Sequence, residues 1–221
     1  MGQANTKAKT KAGAAATQLS YSTDALFVEP IFRADVSGAI TPEHVDVIKS
    51  LKMRPNQVNL ISEDLSIFER PELATLARAV QAVLDIYAAE VMGISQQLKV
   101  TQSWSLINEP GVGMHGHSHS NSVVSGSLYY TDMPEPSPAM VFERHDGYRQ
   151  LQLDPEQGKT NLFNAPLNAV VPRAGEVILF SSKLTHHVQA NTSKERRYSV
   201  AFNSFVRGEI GSFKDVSLLK L

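Results

Sequence analysis

The residues best suited to chemistry sit in Gly111-Val-Gly-Met-His-Gly-His-Ser-His-Ser-Asn-Ser122, which holds three of the chain's seven histidines at alternate positions. In a β-strand, residues i and i+2 share a face and lie roughly 6.5–7 Å apart. That suits two imidazoles bending toward one metal ion at about 2.0–2.2 Å. His117 and His119 are therefore candidate ligands. His115 has the same parity, but three consecutive ligands would crowd one side of an ion, so a third donor is expected from farther along the chain. The intervening Gly and Ser also suit an exposed loop. A second cluster, His186-His187, follows the apolar run Gly175-Glu-Val-Ile-Leu-Phe-Ser181, and alternation allows at most one of the pair to face a site. Eleven residues beyond His186 stands Arg197. An inward arginine on a strand requires an anionic partner, its fork matches a carboxylate, and Ser199, on the same face, can add a hydroxyl. The plainer reading of Arg196-Arg197 is a solvated basic edge.

These residues need a sheet to hold them. From residue 97 onward, candidate strands are 98–108, 122–131, 139–143, 167–171, 175–181, 184–190 and 197–206, separated by turns rich in Gly, Pro and Asp. Ahead of them, order is expected to start near Asp24-Ala-Leu-Phe-Val-Glu-Pro-Ile-Phe-Arg33. Thr41-Pro42-Glu43 reads as an N-cap opening a helix to about Lys52. Three-and-four spacing predicts a longer helix from Pro71 to about Met92, ended by Gly93. Helices followed by strands suggest a mainly β fold, an antiparallel sandwich or barrel with helices flanking one face. Residues 1–18 read as a disordered basic tail, residues 19–221 as a single domain, and the polar stretch 144–166 as a substrate cover.

Composition narrows the function classes. The chain has no cysteine, which removes disulfides, thiolate catalysis and iron–sulfur clusters. It leaves imidazole and oxygen as metal donors and agrees with a cytoplasmic protein. With 21 basic against 22 acidic residues, nucleic acid is not an expected partner. No apolar run approaches the ~20 residues that span a bilayer, so no membrane is expected either.

Taken together, Trp104, Gly111, His117-Ser-His119, Ser125-Gly-Ser-Leu-Tyr-Tyr130, Gly175-Glu-Val-Ile-Leu-Phe-Ser-Ser182, His186-His-Val188, Asn191 and Arg197-Tyr-Ser-Val-Ala-Phe-Asn203 resemble the 2-oxoglutarate/Fe(II)-dependent oxygenases, specifically a phage and bacterial group. The resemblance covers roughly residues 98–205. It implies a double-stranded β-helix (jelly roll) binding Fe(II), 2-oxoglutarate and O2, with oxidative decarboxylation coupled to hydroxylation of a small-molecule or peptide substrate. It further implies His117 and His186 as iron ligands, and Arg197, Ser199 and Tyr129 (or Tyr130) as 2-oxoglutarate contacts. His115, His145 and Tyr148 are placed at the substrate. The departure is at position 119, where the family pattern has a carboxylate. Either His119 binds, giving a three-histidine site, or Asp132, Glu143 or an open position takes its place; the spacing favours His119. Two smaller departures, Ser120 and Phe180-Ser-Ser-Lys-Leu184, are expected to leave the ligands untouched.

Two other readings compete. Gly111-x5-His117-x-His119 also opens a cupin-like motif, but no glutamate follows at four or five residues and Arg197 then has no role. The other is a non-catalytic jelly-roll binding or virion-associated protein with a degenerate or zinc-filled site.

Overall fold

Period-two alternation in the C-terminal half builds two facing sheets, seen in a computed structural model that describes residues 20–144 and 154–221. The tail read at residues 1–18, and His145, Asp146, Tyr148 and Arg149, lie outside the described residues. In chain order the elements are β1 (Phe32–Asp35), α1 (Pro42–Lys49), β2 (Met53–Pro55), β3 (Leu60–Ser62) and α2 (Ala74–Ile86). Then come β4 (Gln97–Asn108), β5 (Met114–His117), β6 (Val124–Leu128), β7 (Met140–Glu143), β8 (Leu167–Val170), β9 (Glu176–Ser181), β10 (His186–Val188) and β11 (Arg197–Arg207). A two-stranded hairpin, β12 (Glu209–Ile210) with β13 (Leu219–Lys220), follows.

A seven-stranded sheet runs β1-β9-β6-β11-β4-β3-β2 and a four-stranded sheet runs β5-β10-β7-β8. From β4 on, the chain winds between them: β4, β6, β9 and β11 join the large sheet, while β5, β7, β8 and β10 join the small one. All these pairings are antiparallel. This is a double-stranded β-helix.

The large sheet is buried on both faces, so its strands sort their side chains between two cores. In β9, Val177 and Leu179 join the core under the helices, while Ile178 and Phe180 join the layer between the sheets. In β11, Tyr198, Val200 and Phe202 point to the helices, which leaves Arg197, Ser199 and Ala201 for the inter-sheet face. Gly126 in β6 is required by this packing. A Cβ there would collide with the Phe202 ring and come 2.6 Å from Leu179 Cδ2.

Helix α1 begins where Thr41 caps it: the threonine side chain accepts from the His44 N–H, and His44 Nδ1 returns the bond to the Thr41 N–H. The longer helix opens with a 3-10 turn at Pro71–Leu73, runs as α2, continues as a π-helical segment (Tyr87–Met92) and stops at Gly93, whose φ of 63° is left-handed. Its buried stripe of Leu76, Val80, Val83 and Leu84 faces the large sheet.

Two expectations change. Strand structure starts at Phe32, beyond Pro30, and Leu26 and Phe27 are 81% and 92% exposed. Proline lacks an N–H, so it interrupts the apolar run, and only the residues after it pair with β9. The sequence also concealed β2 and β3, three residues each, which are too short to show a period.

Candidate metal centre

The small sheet brings the histidines together. Strands β5 and β10 pair with His117 opposite His186, and their ring centroids lie 4.5 Å apart. His119 lies two residues beyond the end of β5, in a loop, and its N–H donates to the Ser182 carbonyl at 3.0 Å. Its ring stacks on His186 at 5.2 Å and meets His117 edge-on at 5.1 Å. One ligating nitrogen from each of the three lies within 4.8 Å of the others, so the rings can converge on one ion. Strand parity thus accounts for His117, and a loop supplies His119.

Hydrogen bonds fix two of the tautomers. His117 Nδ1 lies 2.9 Å from the His115 carbonyl, and His186 Nδ1 lies 3.0 Å from the Leu184 carbonyl. A carbonyl only accepts, so Nδ1 carries a proton in both rings and Nε2 is the nitrogen left to face a metal. Burial lowers the pKa of His186 to about 3, against the Leu184 bond, which acts to raise it; the neighbouring histidines add to the lowering. Burial, then His117, lowers His119 to about 4. Both are neutral at pH 7, the form that ligates metals. Among the described residues neither ring nitrogen of His119 has a hydrogen bond; the ring lies between Trp104 and Phe180, at 6.3 and 6.4 Å.

The three histidines line a cavity of about 230 Å³ together with Arg197, Ser199, Trp104 and Phe180. Arg197 is 2% exposed. Its Nη2 donates to the Tyr129 hydroxyl at 3.2 Å and its guanidinium carbon lies 5.1 Å from the Tyr129 ring centroid. Its Nε is buried with no hydrogen-bond partner. Among the described residues no aspartate or glutamate lines this cavity. A buried guanidinium without a protein carboxylate is a receptor for an anion, and three clustered imidazoles suit a divalent transition metal. The residues present therefore fit an iron ion and a dicarboxylate in one cavity.

The remaining expected site residues are placed as follows. Tyr129 packs in the inter-sheet layer, whereas Tyr130 turns to the helix side and meets Tyr198 edge-on. His115 is exposed, its ring 5.5 Å from that of His117. His187 points away from the cavity to Glu143, at 3.2 Å. Neither Glu143 nor Asp132 lines the cavity, so neither takes the place of His119 there.

In Phe180-Ser-Ser-Lys-Leu184 the departures from the family pattern fall at Ser181 and Lys183, whereas the bond to His119 comes from the backbone carbonyl of Ser182 between them. Sequence reasoning also missed the amides on the cavity wall. Asn56 Nδ2 donates to Asn59 Oδ1 at 3.0 Å, and Asn108 Nδ2 donates to the Gly113 carbonyl at 2.9 Å. Asn191, quoted only as part of a motif, ties the strand ends together. Its Nδ2 donates to the carbonyls of Asn108 and Glu195, just before Arg197.

Residues 102–203 match the family model described as "Putative 2OG-Fe(II) oxygenase". No curated protein sequence matches the chain. Among solved structures, the fold is similar to the epimerase SnoN from nogalamycin biosynthesis, solved with Fe3+, alpha ketoglutarate and nogalamycin RO (16% identity, 80% of this chain and 79% of that one, TM-score 0.59). It is also similar to HygX from Streptomyces hygroscopicus with nickel and 2-oxoglutarate bound (15% identity, 80% and 82%, TM-score 0.56). A third is a prolyl-4-hydroxylase from Pseudomonas putida (14% identity, 81% and 94%, TM-score 0.53).

Proposed function

We propose that this chain, whose residues 102–203 match a 2OG-Fe(II) oxygenase model, is a 2-oxoglutarate- and Fe(II)-dependent oxygenase in which His117, His119 and His186 hold the iron while Arg197 grips the distal carboxylate of 2-oxoglutarate. Bound there, the metal and O2 supply the oxidising chemistry: 2-oxoglutarate is decarboxylated to succinate and CO2, and one oxygen atom enters a substrate C–H bond. The observation that carries the reading is Arg197, buried with an unpartnered Nε in the same cavity as three clustered histidines.

Each side chain then has a defined task. The imidazoles donate lone pairs and no negative charge, so a dianionic cosubstrate meets a site that is wholly cationic or neutral. Arg197 orients the dianion, with the Ser199 hydroxyl two residues on along the same strand face. Tyr129 holds the guanidinium by one hydrogen bond and its ring face. Trp104, Leu106, Ile61 and Phe180 line the cavity with apolar surface and limit water beside the metal.

The substrate is a small molecule or a peptide segment, with no nucleic acid or membrane partner. A cytoplasmic setting agrees with the absence of cysteine, and no helix among the described residues is long and apolar enough to cross a membrane.

The test is an anaerobic titration of Fe(II), then 2-oxoglutarate, followed by admission of O2 and measurement of succinate. Saturable 2-oxoglutarate binding that requires both iron and Arg197 is expected. An iron-loaded protein without 2-oxoglutarate affinity would rule out this function.

A further inference from the structure

His117 and His186 are fixed by a strand pair and by hydrogen bonds from their own rings. His119 has neither support. What holds its loop is a cluster of serines on the large sheet, outside the cavity. Ser182, immediately after β9, accepts the His119 N–H on its carbonyl at 3.0 Å and donates its own N–H to the Val123 carbonyl at 3.1 Å. It therefore bonds to both ends of residues 119–123. That turn includes Asn121, a non-glycine residue at φ 53°, so its backbone is in a region that needs outside support.

The Ser182 hydroxyl lies within the turn's own polar contacts. It donates to Ser122 Oγ at 2.7 Å and sits 2.8 Å from Ser125 Oγ. Ser125 donates to Asn203 Oδ1 at 2.9 Å, and Ser122 donates to the Ser204 carbonyl at 3.1 Å. Ser125, Ser182 and Ser204 are each 1% exposed or less. A buried hydroxyl cluster of this kind is costly unless its members satisfy one another. It links three strands of the large sheet, through β6, β11 and the end of β9, to a single loop of the small-sheet side.

We propose that Ser182, locked by Ser122 and Ser125, is the positioning residue for His119: it sets where the third imidazole stands relative to His117 and His186. The proposal rests on His119 being a metal ligand. Ser182 does not touch the metal. It acts through its carbonyl, and its hydroxyl keeps that carbonyl in place. Removal of the hydroxyl takes one contact from each of Ser122 and Ser125, which keep only their bonds to β6 and β11, so the turn loses its side-chain tie to the end of β9 and the third donor loses its fixed position.

The experiment measures Co(II) affinity and the visible Co(II) absorption spectrum in the wild-type chain and in Ser182→Ala, His119→Ala and the double variant. Ser125→Ala serves as a second probe if Ser182→Ala folds poorly. Loss of support behind a ligand costs on the order of 10- to 100-fold in metal affinity. Ser182→Ala is expected to weaken Co(II) binding about tenfold and to shift the spectrum. In the His119→Ala background it should add less than about twofold, because there is no longer a ligand to position. Equal effects in both backgrounds, or an unchanged spectrum in Ser182→Ala, would overturn the proposal. If His119→Ala itself leaves affinity and spectrum intact, the ligand assignment fails instead, and the two failures are distinguishable.

Discussion

Arg197 and Tyr129 form a buried pair in which the arginine Nη2 donates to the phenol oxygen at 3.2 Å while its guanidinium carbon stands 5.1 Å from the ring centroid. The tyrosine is neutral, and burial raises its pKa even though Arg197 acts to lower it. The phenol thus brings no negative charge to the arginine, and among the described residues no carboxylate lines the cavity to do so. Arg197→Ala should weaken 2-oxoglutarate binding at least about thirtyfold, since truncating a buried charge pair costs about 2–5 kcal/mol. Tyr129→Phe removes one hydrogen bond of about 0.5–1.5 kcal/mol and should cost about tenfold or less. Calorimetric titration of 2-oxoglutarate into Ni(II)-loaded protein measures both, and equal losses would show that Tyr129 does more than hold the arginine.

His115 and His119 share strand parity yet differ in place, one exposed and the other against Trp104. Trp104 is the chain's single tryptophan, so its emission should be quenched on Ni(II) or Co(II) binding. His119→Ala should raise the metal concentration needed for quenching at least about tenfold, and His115→Ala should leave it within about twofold. A larger loss at His115 than at His119 would reverse the ligand assignment.

The lowered pKa values of His119 and His186 make stability depend on pH in the metal-free protein. The unfolded chain protonates these imidazoles near 6.5, whereas the folded chain resists until about 4 and about 3. Stability is therefore complete above pH 6.5 and falls as pH decreases through that window, by up to about 1.4 kcal/mol per pH unit for each histidine. Urea midpoints in chelator at pH 7 and pH 5 test this. His119→Gln should flatten the slope by about one proton, and an unaltered slope would show that His119 titrates normally.

Gly126 is held by the Phe202 ring and Leu179 rather than by any backbone requirement. Gly126→Ala should destabilise by about 1–3 kcal/mol through overpacking, read as a lower urea midpoint with unchanged slope. Phe202→Leu in the same chain should recover part of the loss. No recovery would place the strain elsewhere.

Much of this arrangement was legible because β9 and β11 are long enough for alternation to show, and because arginine is conspicuous in an apolar strand. The pairing of His117 with His186 needed the sheet order, which periodicity alone does not provide. His119 carried strand parity while standing in a loop, so its place beside His117 and His186 was reached through a geometry the chain does not adopt there. Ser182 was invisible for a different reason: it acts through a backbone carbonyl, and any residue type carries one. The amides of Asn56, Asn59 and Asn108 converge only through the short β2–β3 hairpin, whose strands left no periodic trace.

The two halves of the site belong to different sheets. The paired histidines ride on β5 and β10 of the small sheet, and Arg197 with Ser199 rides on β11 of the large one. Between the sheets lies a thin apolar layer, in which Phe180 meets Phe142 at 5.1 Å and His186 at 4.6 Å. Those rings act as a spacer that sets how far Arg197 stands from His117 and His186. A change such as Phe142→Leu, at a ring 5.9 Å from that of His186, would therefore retune the reach from Arg197 to the histidines as a shim does between two jaws.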